Sequence, residues 1–325
     1  MIDFTNCEKN KFKAYGGRNG NKFAIKYNGE DYMLKFPSKN ELDTSYTNGV
    51  YSEYLACKII KSMGLNVQDV ILGKYFINGE YKVCVACKDF TDNDTVLKEF
   101  SFFKNKEFGT SGYSTDLDEV LQAIRNQDIY DRDKLNTYFW DLFVVDAFLG
   151  NFDRHNGNWG FLINNREQTA NIAPIYDCGS CLYPGLTDDL VKKVIHSPSE
   201  MDKRVIVFPN SALKANDKKI NYYNLIKSRK YADLNKAVLR IYPKINLDKI
   251  FRIIDSVESL DIDRKLFYKG ILFARYEMIL SPAYEALIKR EDRKASAIAD
   301  PYGSQVEKII NLWWDAGSDA QPRLT

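Results

Sequence analysis

The segment Asp153-Arg154-His155-Asn156-Gly157-Asn158 combines residue types that suit phosphoryl transfer. That reaction needs a carboxylate beside the acceptor hydroxyl and an amide oxygen nearby as a metal ligand. Kinase catalytic loops separate the two by about five positions, as Asp153 and Asn158 are separated here. The usual His-Arg before the aspartate is replaced by Asn151-Phe152. Taken alone, such an Asp/Asn/Gly cluster also fits an ordinary loop.

A second acidic residue follows in Pro174-Ile175-Tyr176-Asp177-Cys178-Gly179. Protein kinases place a metal-binding Asp-Phe-Gly after the catalytic loop, and Asp177-Cys178-Gly179 differs from it at the middle residue. We therefore expect Asp177 to be a metal ligand together with Asn158. An isolated Asp-x-Gly is more often a turn, so the prediction depends on its position after Asn158.

Two lysines compete for contact with nucleotide phosphates. Ala24-Ile25-Lys26 resembles the Val-Ala-Ile-Lys strand of protein kinases. We favour Lys35, because it lies on the next predicted strand, directly before the helix that carries Glu53. A Lys35–Glu53 ion pair is therefore expected, although a single lysine on a strand is more often a solvated surface residue.

The first predicted turn, Gly16-Gly17-Arg18-Asn19-Gly20, is rich in glycine. Glycine lets backbone N–H groups approach phosphates closely, so Gly16, Gly17, Arg18 and Gly20 are candidate nucleotide contacts. Neither a Walker A motif nor a complete G-x-G-x-x-G is present. A plain hairpin turn fits these residues equally well.

Two Cys-x-x-Cys pairs, Cys84/Cys87 and Cys178/Cys181, suggest a structural zinc site as an alternative. The first pair lies in an apolar segment predicted as a strand, whose alternation directs the two sulfurs to opposite faces. Buried cysteines without a metal are therefore favoured.

The elements expected to position these residues form an α+β fold with two lobes. Residues 1–90 are predicted to be a β-rich lobe, and residues 91–325 a mainly helical lobe. Strands are predicted at 11–15, 22–27, 31–36, 67–76 and 81–87, with hairpin turns at Asn28-Gly29 and Asn78-Gly79. A further hairpin is predicted at 159–163 and 171–176, around Asn164-Asn165. Helices are predicted at 48–63, 116–126, 135–149, 247–257, 262–289 and 305–314. Residues 197–219, charged and containing two prolines, are predicted to be a mobile excursion.

The composition excludes several classes of protein. Apolar residues make up 45% and charged residues 28%, which is typical of a globular protein. The net charge is only +2 and has no long block of one sign, so no nucleic-acid partner is expected. No apolar stretch is long enough to predict a membrane span or a signal peptide. Six cysteines in 325 residues favour a reducing, cytoplasmic setting.

Together, four segments resemble the HipA-like serine/threonine kinases: Lys35-Phe36-Pro37, Glu53-Tyr54-Leu55, 151–158 and Pro174-Ile175-Tyr176-Asp177. The resemblance covers roughly residues 11–290. It implies a two-lobed kinase-like fold, ATP with Mg²⁺, transfer to Ser/Thr hydroxyls of a protein, and autophosphorylation. It also implies an effector-like role, in which the protein could be translocated into a host cell.

The resemblance also implies roles for single residues. Asp153 would be catalytic, Asn158 and Asp177 would hold Mg²⁺, and Lys35 would contact phosphate. Glu53 and His155 would also belong to the nucleotide-binding site. The hinge segment that contacts adenine would consist of Ala86, Cys87, Lys88 and Phe90. The glycine-rich turn lacks the serine whose phosphorylation regulates HipA toxins, so toxin-type self-inhibition is not expected.

Two alternatives stay open at this point. Asp-Arg-His-x-x-Asn also resembles the catalytic loop of phosphoinositide kinases, although no basic amphipathic segment for a membrane surface is evident. The other alternative is a pseudokinase, which would bind nucleotide and act by docking a partner protein.

Overall fold

The computed structural model describes residues 1–13, 15, 22–38, 47–108 and 114–292, without the side chains of 108 and 290–292. The candidate nucleotide contacts Gly16, Gly17, Arg18 and Gly20 lie outside the described residues. So does the helix predicted at 305–314.

A six-stranded sheet forms the amino-terminal part of the molecule. Its order is β1-β5-β6-β4-β3-β2, with β1 parallel to β5 and the other pairs antiparallel. The strands are β1 (Ile2–Asp3), β2 (Glu8–Lys9), β3 (Lys22–Tyr27), β4 (Glu30–Lys35), β5 (Val70–Ile77) and β6 (Glu80–Lys88).

Two tight turns fix the register of this sheet. Asn28-Gly29 joins β3 to β4 and Asn78-Gly79 joins β5 to β6, and all four residues have positive φ. Asn-Gly adopts such φ values readily, and the resulting turn matches the twist of the strands. Both predicted hairpins are therefore confirmed.

The strand predicted at 11–15 is wrong. The Asn10 side chain accepts a hydrogen bond from the backbone N–H of Phe12, which turns the chain after β2. Phe12 is fully exposed, so the apolar residue in this segment does not contribute to the core.

Helix α1 (Gly49–Ser62) packs on one face of the sheet, close to the predicted limits of 48–63. The sheet separates two hydrophobic cores. Val85 and Cys87 join α1 in the main core, while Cys84 and Ala86 belong to a small core on the other face. The main core also contains helices after residue 91, so the boundary at residues 90/91 stays a prediction.

The remainder contains most of the helices and a second sheet. The sheet consists of β7 (Thr95–Glu99), β8 (Gly160–Asn164) and β9 (Thr169–Ile172), in that order. The helices that lead to the site are α2 (Phe100–Phe108), α3 (Leu117–Asn126) and α4 (Arg132–Leu149). The hairpin predicted around residues 164 and 165 is thus present, while β7 was not predicted.

Helix α4 is buried almost all round, as its apolar sequence predicts. It ends at Gly150, which caps it with φ 68°. A Cβ atom at Gly150 would lie 2.0 Å from the guanidinium of Arg275, so this position requires glycine. The end of α4 thereby starts the predicted catalytic loop at a fixed point.

Residues 197–219 are ordered elements rather than the predicted excursion. They contain α6 (Pro198–Asp202), a π-helix (Lys203–Val207) and most of a hairpin, β10 (Asn210–Ala215) with β11 (Lys218–Asn221), while α5 (Asp188–Ile195) precedes them. Ser197 caps α6, and Pro198 occupies its first turn. The prolines therefore mark element boundaries, where proline is well tolerated.

Helices close the described chain. They are α7 (Tyr222–Ser228), α8 (Ala232–Ile241), a 3₁₀ turn (Tyr242–Lys244), α9 (Leu247–Asp255), α10 (Ile262–Arg275), a π-helix (Tyr276–Leu280) and α11 (Ser281–Asp292). The long helix predicted at 262–289 is thus interrupted by a π-helix. Within the described ranges, the helices all lack the length and apolarity needed to cross a membrane.

Candidate active site

Lys35 lies at the centre of the site. Its Nζ is 2.9 Å from Oε2 of Glu53 and 3.0 Å from Oδ1 of Asp177. Strand β4 carries the lysine, α1 carries Glu53, and Asp177 follows β9 in the chain. The predicted Lys35–Glu53 pair is therefore present. Lys26 is exposed on β3, where it is in register with Asp31 and Glu8.

Opposite charges stabilise one another among Lys35, Glu53 and Asp177, although the site is largely buried. Burial alone would lower the pKa of Lys35, but Glu53 and Asp177 raise it well above its ordinary value. The Lys35 ammonium lowers the pKa of Asp177, although partial burial opposes this. Burial raises the pKa of Glu53, opposed by Lys35 and by the backbone N–H of Cys178, 2.9 Å from its Oε1. The arrangement keeps Lys35 protonated.

The Asp153 carboxylate lies beside this ion-paired group. Partial burial of the carboxylate raises its pKa, and the negative charge of Asp177 raises it further, while His155 and Lys219 oppose the shift. The residue is nevertheless exposed to solvent. Its backbone N–H is fixed by Oδ1 of Asn151 at 3.0 Å. No hydrogen bond from the described residues reaches the carboxylate, so it is available to an incoming hydroxyl.

Asn158 is oriented by its own loop. Its Nδ2 donates to the carbonyl oxygen of Asp153 at 2.8 Å, which leaves the amide Oδ1 without a donor among the described residues. Among the described residues, Asp177 likewise forms a hydrogen bond through Oδ1 alone, with Lys35, and its side chain is 46% exposed. Its φ of 55° is unusual for a non-glycine residue and turns the chain sharply there. Two oxygen ligands are thus available.

Arg154 connects the two loops to helix α4. Its Nε donates to Asp146 at 3.0 Å, and its Nη1 donates to the carbonyl oxygens of Asn158, at 2.8 Å, and Tyr176. Nη2 approaches Sγ of Cys178 at 3.4 Å. Burial raises the pKa of Asp146 to about 6, with Arg154 opposing. One guanidinium therefore holds the loops before and after the β8–β9 hairpin.

The Arg154–Asp146 pair is the main feature that the sequence analysis missed. A signal was present, because Asp146 is a carboxylate in a helix that is otherwise apolar on nearly every face. A buried carboxylate usually has a charged partner. The partner's identity was not evident, because Arg154 lies eight residues later, beyond the end of the helix, where no periodic spacing relates the two residues.

The predicted hinge residues lie where β6 leaves the sheet. Ala86 and Cys87 are buried, Lys88 ends the strand, and the Phe90 ring packs 5.7 Å from that of Tyr176. The Tyr176 hydroxyl then donates to the carbonyl oxygen of Gly157 at 3.0 Å. The hinge, the Asp177 loop and the catalytic loop are thus in contact.

His155 is positioned by the catalytic loop itself. Its Nδ1 accepts a hydrogen bond from the backbone N–H of Gly157 at 3.0 Å. Its predicted contact with nucleotide stays a prediction.

The cysteines of the two Cys-x-x-Cys pairs are buried, as predicted. Cys84 and Cys87 face different cores, as strand alternation predicts. The described chain instead brings Cys57, Cys178 and Glu53 within 4.8 Å of one another. Arg154 beside Cys178 makes this buried group unfavourable for a cation.

Comparisons with known proteins agree with this geometry. A family model for the HipA-like C-terminal domain matches residues 14–220. The serine/threonine-protein kinase CtkA of Helicobacter pylori strain J99 is 45% identical over 306 residues, covering 93% of each chain.

Two solved structures are also similar to this chain. The crystal structure of a Helicobacter pylori proinflammatory kinase CtkA matches with a TM-score of 0.84 and 46% identity, covering 89% of this chain and 98% of that one. HipA from Shewanella oneidensis, in a complex with HipB and operator DNA, has a TM-score of 0.51 at 17% identity. The match covers 85% of this chain and 70% of that one. This second match shows the fold alone. The predicted two-lobed, α+β kinase-like fold is confirmed, and the chain belongs to the HipA-like C-terminal domain family.

Proposed function

We propose that this chain is an ATP-dependent protein serine/threonine kinase that also phosphorylates itself. The observation that carries the proposal is the ion pairing of Lys35 with both Glu53 and Asp177. The negative charge of Asp177 also acts on the carboxylate of Asp153, which accepts no hydrogen bond from the described residues. The similarity to a serine/threonine-protein kinase over 93% of the chain supports a protein acceptor.

Asp153 is the proposed catalytic residue. Its carboxylate accepts the proton of the attacking hydroxyl, or orients that hydroxyl toward the terminal phosphate. Partial burial raises the pKa of the Asp153 carboxyl, which makes it a better proton acceptor than an ordinary aspartate. The Asn151 hydrogen bond to its backbone keeps the carboxylate in place.

Lys35 is the proposed phosphate contact. Glu53 holds its ammonium near the mouth of the site, where it neutralises part of the triphosphate charge. The proposed adenine contacts are Ala86, Cys87, Lys88 and Phe90. His155, Gly16, Gly17, Arg18 and Gly20 are proposed as further nucleotide contacts.

Asn158 and Asp177 fit a hard divalent cation. Both offer oxygen atoms, the ligand type that Mg²⁺ prefers. Oδ1 of Asn158 and Oδ2 of Asp177 accept no hydrogen bond within the part of the chain that the structure describes. A Mg²⁺ held by Asn158 and Asp177 would supply positive charge that offsets the charge of the triphosphate. We therefore propose Mg²⁺ as the metal and these two residues as its protein ligands.

The acceptor is tested by incubating the purified chain with labelled ATP and Mg²⁺. We expect phosphoserine or phosphothreonine on the chain itself and on an added protein, while phosphoinositide vesicles stay unlabelled. Mass spectrometry then locates the modified residues. The Asp153→Asn variant is the control, because label that survives this change comes from a contaminating kinase.

Other outcomes identify the alternatives. Label on phosphoinositide alone would show a lipid kinase. ATP that raises the melting temperature without labelling any acceptor would show a pseudokinase, since a bound ligand stabilises the fold without chemistry.

Asp177→Ala is expected to weaken metal use. Removal of the carboxylate deletes one proposed metal ligand and one partner of Lys35. The half-saturating Mg²⁺ concentration should rise by about tenfold, as for the loss of other metal-site groups. Metal titrations of nucleotide binding by calorimetry measure this. An unchanged Mg²⁺ dependence would remove Asp177 from the ligand set.

The partner and the cellular compartment are proposed from the expected reaction, the cysteines and the family resemblance. A protein with accessible Ser or Thr hydroxyls is the proposed partner. The six cysteines are all free thiols, which suits the cytoplasm of the producing cell. An effector role in a host cell is proposed from the family resemblance, and no nucleic-acid partner is proposed.

A further inference from the structure

The β10–β11 hairpin is attached directly to the catalytic loop. The hydroxyl of Tyr222, the first residue after β11, donates to the backbone carbonyl of Asn151 at 2.6 Å, and both groups are buried. The ring of Tyr222 also packs 5.0 Å from that of Phe143 in α4. This hydrogen bond therefore attaches the end of β11 to Asn151, which precedes Asp153 by two residues in the catalytic loop.

Lys219 lies on the unpaired edge of this hairpin. In β10, Lys214 donates its backbone N–H at 2.8 Å to Thr115, away from β11. Lys214 and Lys219 face each other in register, so they form a non-hydrogen-bonded pair. The backbone N–H and C=O of Lys219 must then point outward from the opposite edge. Among the described residues neither group has a partner, which leaves one donor and one acceptor at an exposed edge.

The side chains at this edge carry uncompensated charge. Those of Lys214 and Lys219 extend from the same face of the hairpin at directly opposed positions, and both residues are exposed. Like charges at such positions repel each other. Within the described ranges neither lysine forms an ion pair. The Tyr222–Asn151 hydrogen bond places this edge near the proposed catalytic residue, and the charge of Lys219 acts on the carboxylate of Asp153.

We propose that the outer edge of β11 binds the acceptor segment of the protein substrate as an added strand, with Lys219 and Lys214 selecting acidic residues next to the acceptor hydroxyl. This inference rests on the proposed kinase function. An extended segment would exchange two backbone hydrogen bonds with Lys219, as in other cases of strand addition. A glutamate or aspartate in that segment would relieve the repulsion between the lysines.

A simpler role for these lysines is protection of an exposed edge. Lysine on an edge strand discourages unwanted pairing with other chains. Two observations favour substrate docking. The edge is anchored at the catalytic loop by a buried hydrogen bond. Phe152, next to Asp153, also leaves 39% of its surface exposed, where a bound segment could cover it.

The test uses two synthetic peptides, each with one serine. They are identical except that glutamates beside the serine in the first are glutamines in the second. We expect the parental chain to use the acidic peptide with a KM about fivefold lower, as for an exposed ion pair. This preference should shrink at high ionic strength, because salt screens exposed charges.

Lys219→Gln is the decisive variant. It should remove the preference for the acidic peptide while leaving the KM for ATP and the melting temperature unchanged. Lys218→Gln is the matched control, because Lys218 is also exposed on β11 but its side chain extends to the other face. An equal KM for both peptides in the parental chain, or a preference that survives Lys219→Gln, would overturn the proposal. Equal loss in Lys218→Gln would also overturn it.

Peptide binding is measured separately from turnover, by fluorescence anisotropy with labelled peptides. If neither peptide is phosphorylated, the proposed kinase function fails on these acceptors. The docking surface is still tested, because tighter binding of the acidic peptide that is lost in Lys219→Gln supports it. Equal binding of both peptides contradicts it.

Discussion

Replacing Asp153 with asparagine is expected to lower phosphoryl transfer by about 10³-fold, within the range for loss of a general base. The amide retains the shape of the side chain but cannot accept the hydroxyl proton. Because no described residue donates a hydrogen bond to this carboxylate, its loss should leave the surrounding structure intact. Nucleotide affinity should be close to that of the parental chain.

Single-turnover kinetics and calorimetric nucleotide titration together measure these two effects. Transfer near the parental rate in Asp153→Asn would exclude Asp153 from the mechanism. A parallel loss of nucleotide affinity would instead indicate that the loop has been disturbed.

Lys35→Ala is expected to lower transfer by about 10²- to 10³-fold, as for removal of one donor to a charged transition state. The change also leaves Glu53 buried without its cation, so some loss of stability should accompany it. The matched variant is Lys26→Ala, one strand away in the same sheet. Lys26 is exposed and should retain most of the activity.

Kinetics at saturating ATP and urea denaturation distinguish catalysis from folding. Lys35→Met serves as a second variant, because it keeps much of the side-chain volume. Equal losses in Lys35→Ala and Lys26→Ala would show that neither lysine has a special role. Greater loss at Lys26 would overturn the assignment of the phosphate contact.

Local patterns in the sequence predicted much of the fold. Helix α1 was placed to within one residue at each end, because its apolar spacing ends at Gly64. The two Asn-Gly turns were placed correctly, because their chemistry depends on only two residues. Lys35 and Glu53 were paired because their order along the chain matches that of a kinase.

Elements determined by distant contacts were harder to predict. Strand β7 has little alternation and depends on pairing with β8, about sixty residues later in the chain. Helix α8 was missed although Leu234, Val238 and Ile241 have helical spacing and are buried. The hairpin of residues 210–221 lies among charged residues and prolines, and its contact with Asn151 has no local signal.

The Arg154 guanidinium has a consequence for local unfolding. It contacts the end of α4, the catalytic loop and the Asp177 loop at once. Neither loop can open without breaking a buried, charge-assisted hydrogen bond that would leave a polar group unsatisfied. The two loops should therefore open as one cooperative unit, with backbone amides from both exchanging hydrogen for deuterium at a common rate.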